Sequence, residues 1–144
     1  MSMQDRYEEY LETILYVTKG NGMAKTSELA EQLGVSPSSV TEMIQKLSDE
    51  GYVEYMPYYG VTLTERGKRE ASRMKRRHRL LEKFLVEFLK MDKDDAHREA
   101  CKLEHVVSDD VERRFCSMMG HPRKCPDGNP IDRASCCFEK ELYQ

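Results

Sequence analysis

The run His97-Arg-Glu-Ala-Cys101-Lys-Leu-Glu104-His105 concentrates the metal-ligating chemistry of the chain. Read as a helix, it sets His97, Cys101, Glu104 and His105 at i, i+4, i+7 and i+8. That is one face, because residues three and four apart stack on the same side. Imidazole, thiol and carboxylate together suit a transition metal, whereas magnesium or calcium takes oxygen ligands. The alternative for this run taken alone is a buried Cys and a solvated Glu–His pair that share a face without purpose. Two other pairs carry the same residue types. Glu9 and Glu12 are i, i+3 on a first helix, with a solvated face as the plain alternative. His78 and Glu82 are i, i+4 on a long helix, and His78 fills a gap in that helix's apolar stripe, where a hydrogen-bonded core histidine is the plain alternative. The run Arg73-Met-Lys-Arg-Arg77 beside it reads as a solvated face or a phosphate contact.

The elements that must position these groups are legible from periodicity. Tyr7, Tyr10, Leu11, Ile14 and Leu15 predict a first helix over 4–18, ended by Gly20-Asn-Gly22. Leu29, Ala30 and Leu33 mark a short second helix closed by Gly34. Ser36-Pro37 supplies an N-cap and a first-turn proline for a third helix carrying Val40, Met43, Ile44 and Leu47. Residues 52–56 and 61–64 are β-prone runs joined by Pro57-Tyr-Tyr-Gly60. That order is a winged helix-turn-helix. Thr64 caps a fourth helix to about residue 90, with Ala71, Met74, Leu81, Leu85 and Phe88 in its stripe. Asp92 caps a fifth over 93–107, and Ser108 caps a sixth with Val111, Phe115, Met118 and Met119 on one face. The expected fold is mainly α, an N-terminal winged helix-turn-helix over 1–64 followed by an all-helical metal-binding and dimerisation module over 65–120, with a Cys-containing tail over 121–144.

Composition narrows the function classes. The 144 residues are 39% hydrophobic and 34% charged, with no stretch of membrane-spanning length, so no membrane partner is expected. The N-terminus is polar and acidic without a secretory signal, which predicts a cytoplasmic location where disulfides are disfavoured. Five cysteines then point to metal or to buried thiols. His121, Cys125, Cys136 and Cys137 are a candidate second site, for zinc, although no CxxC is present and two of the cysteines are adjacent; free thiols are the alternative. No acid–base pair or activated nucleophile is recognisable, so neither enzymatic activity nor a small-molecule substrate is expected.

The third helix would enter a DNA major groove N-terminus first, presenting Ser36, Pro37, Ser38, Ser39, Thr41 and Glu42, with Gln45 and Lys46 one turn on. Hydroxyls bond phosphates or base edges, and Glu accepts from cytosine. Residues 1–64 hold 10 acidic and 4 basic side chains, and residues 65–90 hold 4 acidic and 10 basic. The acidic first segment favours a winged helix used for protein contacts, since non-specific DNA affinity comes from Lys and Arg. Glu8, Glu9 and Glu12, however, lie on the first helix rather than on the groove-facing one.

Several motifs resemble the diphtheria toxin repressor family of metal-dependent transcriptional repressors. They are Glu-Tyr-Leu-Glu at 9–12, Ser-Pro-Ser-Ser-Val-Thr at 36–41, Leu-Thr-x-x-Gly at 63–67, Arg-His-Arg-Leu-Leu-Glu at 77–82, Glu-Ala-Cys-x-x-Glu-His at 99–105, Ser-Asp-Asp-Val-Glu-Arg-Arg at 108–114 and Gly-Asn-Pro-Ile at 128–131. The resemblance implies one metal site from Glu9, Cys101, Glu104 and His105, and a neighbouring one formed or supported by His78, Glu82 and His97. Glu12 matches a carboxylate ligand of the manganese-sensing branch. The fifth and sixth helices match the dimerisation module. Position 9 departs from the pattern, being Glu where the iron branch has Met and the manganese branch Asp; position 101 keeps the iron branch's Cys. The SH3-like domain of the iron branch is not expected within a chain that stops at Gln144.

The resulting expectation is a homodimeric repressor of metal homeostasis genes. It would bind palindromic double-stranded operator DNA when loaded with Fe(II), or alternatively Mn(II), with zinc in the tail as a further cofactor. The rival readings are a manganese-responsive regulator of the same fold and a winged-helix protein-interaction module without metal-gated DNA binding.

Overall fold

In the computed structural model, which describes residues 2–138, six α-helices and one two-stranded antiparallel sheet follow in the order α1 (Met3–Thr18), α2 (Thr26–Leu33), α3 (Pro37–Asp49), β1 (Val53–Met56), β2 (Gly60–Leu63), α4 (Glu65–Glu87), α5 (Lys93–Leu103) and α6 (Asp109–Met118). A short 3₁₀ turn, Ser135–Cys137, closes the described chain. No described helix is long and apolar enough to cross a membrane. Two compact units result, Met1–Met74 and Lys75–Gln144, with α4 running from the first into the second. The last six residues of the expected tail lie outside the described residues.

The first unit is the winged helix-turn-helix. Ser2 and Asp5 form a reciprocal capping box that starts α1. Gly34, in the left-handed conformation at φ 65°, ends α2, and Ser36 then caps α3 through the Ser39 N–H. Leu11 and Ile14 of α1, Leu29 of α2 and Val40, Ile44 and Leu47 of α3 are fully buried together with Val61 of the wing. Each contributes about 1.5–3 kcal/mol by leaving water, which fixes α3 with its other face outward. The wing pairs Val53 with Leu63 and Met56 with Gly60. Ala24 extends it, exchanging both backbone hydrogen bonds with Val61. Gly60 is required there, because a Cβ would lie 2.6 Å from the Ala24 carbonyl oxygen. Gly67 of the Leu-Thr-x-x-Gly motif has a similar reason, since a Cβ would meet the Tyr52 carbonyl oxygen at 2.0 Å.

In the second unit, Leu81 and Leu85 of α4 pack on Ala96 and Ala100 of α5, and Leu80 packs with Cys116 of α6 and with Cys125, Ile131 and Cys136. Three expectations change here. The fourth helix ends at Glu87, and Phe88 is half exposed beyond it rather than part of the stripe. The fifth ends at Leu103, so Glu104 is its C-cap and His105 stands in the following turn. Arg76 and Arg77 are buried, not solvated: Glu112 accepts from both at 2.8 Å, and Arg77 also donates to the Val107 carbonyl at 2.7 Å. A buried guanidinium persists only when paired in this way.

Candidate nucleic-acid interface and metal centre

In the first unit, α3 presents a polar face. Ser36, Pro37, Ser38, Ser39, Thr41, Glu42 and Gln45 are exposed, and Lys46 is half-buried. Ser36 Oγ is committed to the cap, 3.2 Å from the Ser39 nitrogen and 2.8 Å from Ser39 Oγ. Thr41 donates back to the Pro37 carbonyl at 3.1 Å, which leaves its hydroxyl oxygen outward as an acceptor. Glu42 and Lys46 pair at 3.6 Å, and Gln45 donates to Asp49 at 3.2 Å, both exposed and weak. The hydroxyl-rich helix start, at the positive end of the helix dipole, suits a phosphate. The wing tip adds two groups that sequence reasoning had read only as a turn: Tyr58 and Tyr59 stand out in solvent.

In the second unit, α4 and α5 bring five of the expected ligand residues together. His78 Nε2 bonds Glu82 and lies 3.1 Å from His97 Nδ1. His97 Nε2 is 3.7 Å from Cys101 Sγ, and His97 Nδ1 is 3.6 Å from Glu82. On its other side His78 Nδ1 lies 3.4 Å from Glu104 Oε1. Cys101 thus groups with the two imidazoles, a different partition from the one the resemblance implies. Glu104 and His105 in turn offer ligand atoms within 4.8 Å of each other. Glu104 is buried, while His97 and Cys101 are exposed. Glu9 and Glu12 are half-buried on α1 in the first unit, and the neighbouring Glu8, which the sequence reading had not singled out as a ligand, is buried.

Anionic groups face His78 from two sides. Burial disfavours a charged His78, yet the Cys101 thiol and the Glu104 and Glu82 carboxylates outweigh it and push its pKa up to about 12. Burial would raise Glu82, but His78 beside it holds the carboxyl below its usual range. Among the described residues, two buried side-chain atoms have no hydrogen-bond partner, and they are His78 Nδ1 and Glu104 Oε2. His78 Nδ1 keeps its 3.4 Å ion contact with Glu104 Oε1, so the cost of an unpaired buried polar atom, about 1–3 kcal/mol, falls on Glu104 Oε2. Both belong to the same cluster, and both are atoms a divalent ion would take. The donor set fits a transition metal.

Two matches decide the family. Residues 2–61 match the iron dependent repressor N-terminal DNA binding domain, and residues 64–133 match the iron dependent repressor metal binding and dimerisation domain. The chain belongs to the iron-dependent repressor family. It is 48% identical over 114 residues to an uncharacterized HTH-type transcriptional regulator of Methanocaldococcus jannaschii, covering 78% of this chain and 91% of that one. It is 34% identical over 127 residues to the iron-dependent repressor IdeR of Mycobacterium tuberculosis, covering 88% of this chain but 55% of that one. A solved manganese-dependent transcriptional repressor in complex with manganese superposes with a TM-score of 0.81 at 42% identity, over 89% of this chain and 59% of that one. The chain therefore spans little more than half the length of several relatives. Iron-dependent repressors are DNA-binding regulators rather than enzymes, and the family includes iron and manganese members.

Two remaining groups of expected residues fall differently from the sequence reading. Of the expected α6 face, Val111 and Met118 are exposed, whereas Phe115 and Met119 pack inward, the Phe115 ring 4.6 Å from that of Phe84. In the tail, His121, Cys136 and Cys137 gather with Cys116, not with Cys125. Cys125 is buried in the same apolar cluster, and its backbone pairs with Asn129 across a turn. Burial pushes the Cys116 thiol up to about 12. At Cys137 the Ala134 N–H and Arg133 outweigh burial and bring the thiol down to about 6.

Proposed function

We propose that this chain is a cytoplasmic, homodimeric repressor that binds palindromic operator DNA when loaded with a divalent transition metal, and that the signal is Fe(II). The observation that carries the metal half of this reading is the gathering of His78, His97 and Cys101 ligand atoms within 4.8 Å, with the Glu82 and Glu104 carboxylates on either side of the His78 ring. His78, Glu82, His97, Cys101, Glu104 and His105 would hold metal from the second unit. Glu9 and Glu12 would add carboxylates from α1, a role supported by the Glu-Tyr-Leu-Glu motif. Bound metal supplies a positive charge that lets these anionic and imidazole groups share one place. A metal that recruits these α1 carboxylates would be coupled to operator binding, typically by ~1–3 kcal/mol. Ser38, Ser39, Thr41, Glu42, Gln45 and Lys46 would read the groove, and Tyr58 and Tyr59 of the wing would reach the adjacent backbone.

The Cys101 thiol supports iron over manganese, because sulfur favours the later, softer members of the divalent series. The test is an anaerobic titration of promoter DNA with Fe(II), Mn(II), Ni(II) and Zn(II) in turn. The expected result is tight binding only with metal, stronger with Fe(II) than with Mn(II), and a Cys101→Glu variant whose preference moves toward Mn(II). Metal-independent binding sinks the gating. A parent that already prefers Mn(II) passes selectivity to Glu9 and Glu12.

A further inference from the structure

We propose that Cys116, His121, Cys136 and Cys137 bind a zinc ion in a closed tetrahedral site that fastens the C-terminal segment to α6. One ligand atom from each residue lies within 4.8 Å of all the others. Cys116 Sγ is 3.2 Å from His121 Nδ1 and 3.8 Å from Cys137 Sγ. A tetrahedron with Zn–S of ~2.3 Å and Zn–N of ~2.0 Å has S–S edges of ~3.8 Å and S–N edges of ~3.5 Å. The Cys116–Cys137 separation equals such an edge, the Cys116–His121 one is about 0.3 Å short of it, and no ligand pair exceeds 4.8 Å, so the ion would need shifts of at most about 1 Å. A disulfide would need the two sulfurs at ~2.05 Å instead.

The backbone converges on this cluster at some cost. Gly120 and His121 are consecutive left-handed residues, at φ 73° and φ 53°. Outside glycine that conformation costs about 1–2 kcal/mol. It turns the chain back past the end of α6, where the His121 N–H donates to the Cys116 carbonyl at 2.8 Å. Arg133 donates to the His121 carbonyl at 3.2 Å. The 3₁₀ turn at Ser135–Cys137 then brings two adjacent cysteines to the same group, the arrangement that spacing alone made awkward.

A buried cation stands beside the three sulfurs, placed to balance the thiolates that a metal would create. Arg76 Nη2 lies 3.2 Å from Cys116 Sγ and 3.7 Å from both Cys136 Sγ and Cys137 Sγ. Its guanidinium is fixed from outside by Glu112 at 2.8 Å and by the Asp132 carbonyl at 2.7 Å. Three thiolates with Zn(II) and a neutral imidazole carry one net negative charge, which a buried cation donating N–H bonds to sulfur balances. The segment also needs fastening. From His121 to Cys137 it has one isolated bridge, Lys124 to Pro130, and the 3₁₀ turn as its regular structure. Cys125 and Ile131 are its other buried apolar anchors. A metal cross-link suits a segment with so small a core. Four protein ligands leave no open position, so the site is structural, and three sulfurs favour zinc over manganese. None of its ligands takes part in the corepressor centre, so the two proposals stand or fall separately.

The experiment uses the full chain, purified anaerobically, with zinc measured by mass spectrometry and cobalt(II) as an optical probe. The expected result is about one zinc per chain that survives loading with Mn(II), as a closed structural site should. Cobalt(II) in its place should give the intense sulfur-to-metal absorption of a thiolate-rich tetrahedral centre. A Cys136→Ser/Cys137→Ser variant should lose this zinc, and Cys101→Ser should keep it. Zinc retained by the double variant, zinc lost from Cys101→Ser, or a Cys116–Cys137 disulfide in the anaerobic protein overturns the proposal. If the double variant does not fold, the parent's cobalt spectrum decides, and an octahedral or single-thiolate signature overturns it.

Discussion

At neutral pH the metal-free protein holds a proton on His78. Its folded-state pKa, pushed to about 12 by Cys101, Glu104 and Glu82, stands above that of a free imidazole. The charged form therefore stabilises the metal-free fold, in full below about 6.5 and no longer once the pH has risen through about 12. A metal bound at His78 would displace that proton, and one bound at Cys101 would displace the thiol proton, so apparent affinity should rise with pH by up to about tenfold per unit for each proton released. Calorimetric titration with Mn(II) in two buffers of equal near-neutral pH but different ionisation heat should show protons leaving on binding, about one fewer per ion in His78→Gln. Equal heats in the two buffers for the parent would show that His78 is not displaced. At this scale the sequence was informative where neighbouring candidate ligands share a helix turn: His78 stands against Glu82, and His97 against Cys101. It was silent on Cys116, which looks like an ordinary core thiol of an amphipathic helix. Its partners come from a turn and from a segment 20 residues on, and no spacing rule spans that distance.

Helix starts were legible because their chemistry is local. Ser36, Asp92 and Ser108 each cap the helix that follows by accepting a backbone N–H, and Thr64 accepts the Gly67 N–H at 3.1 Å. The end of α5 was not legible, because it is set from outside. Arg77 donates to the Glu104 carbonyl at 3.3 Å and to the Val107 carbonyl at 2.7 Å, satisfying helix-end acceptors from a different element. Arg77 is one turn before Leu81 and Arg76 one turn before Leu80, so both stand on faces of α4 that the fold buries. The basic run around them concealed this, and Glu112, their shared partner, lies 35 residues away from Arg77. Glu112→Gln removes the carboxylate between two buried guanidiniums. We expect it to cost about 3–5 kcal/mol in denaturant unfolding of the metal-free chain. A loss under about 1 kcal/mol, the range of a surface pair, would show that water or other acceptors take over.

Across the whole molecule the expected dimer seam narrows. The amphipathic reading of α6 gave four residues, but Phe115 and Met119 are used inside the second unit. Phe115→Glu would therefore test folding as much as assembly. Val111 and Met118, seven residues apart on one face, are 41% and 55% exposed and remain available for a partner copy. Periodicity shows which residues share a face, not whether a neighbour within the chain already covers it. Val111→Glu with Met118→Glu places two unpaired charges in the proposed seam while leaving the Phe84–Phe115 contact and the metal ligands intact. Sedimentation should then show a monomer that still releases a proton on binding Mn(II). Operator affinity should fall sharply, because a palindrome read through one half-site loses the second set of contacts. A variant that remains dimeric and binds operator normally would move the seam to another surface of the second unit, where Val106 is 74% exposed and Leu89 is 56% exposed.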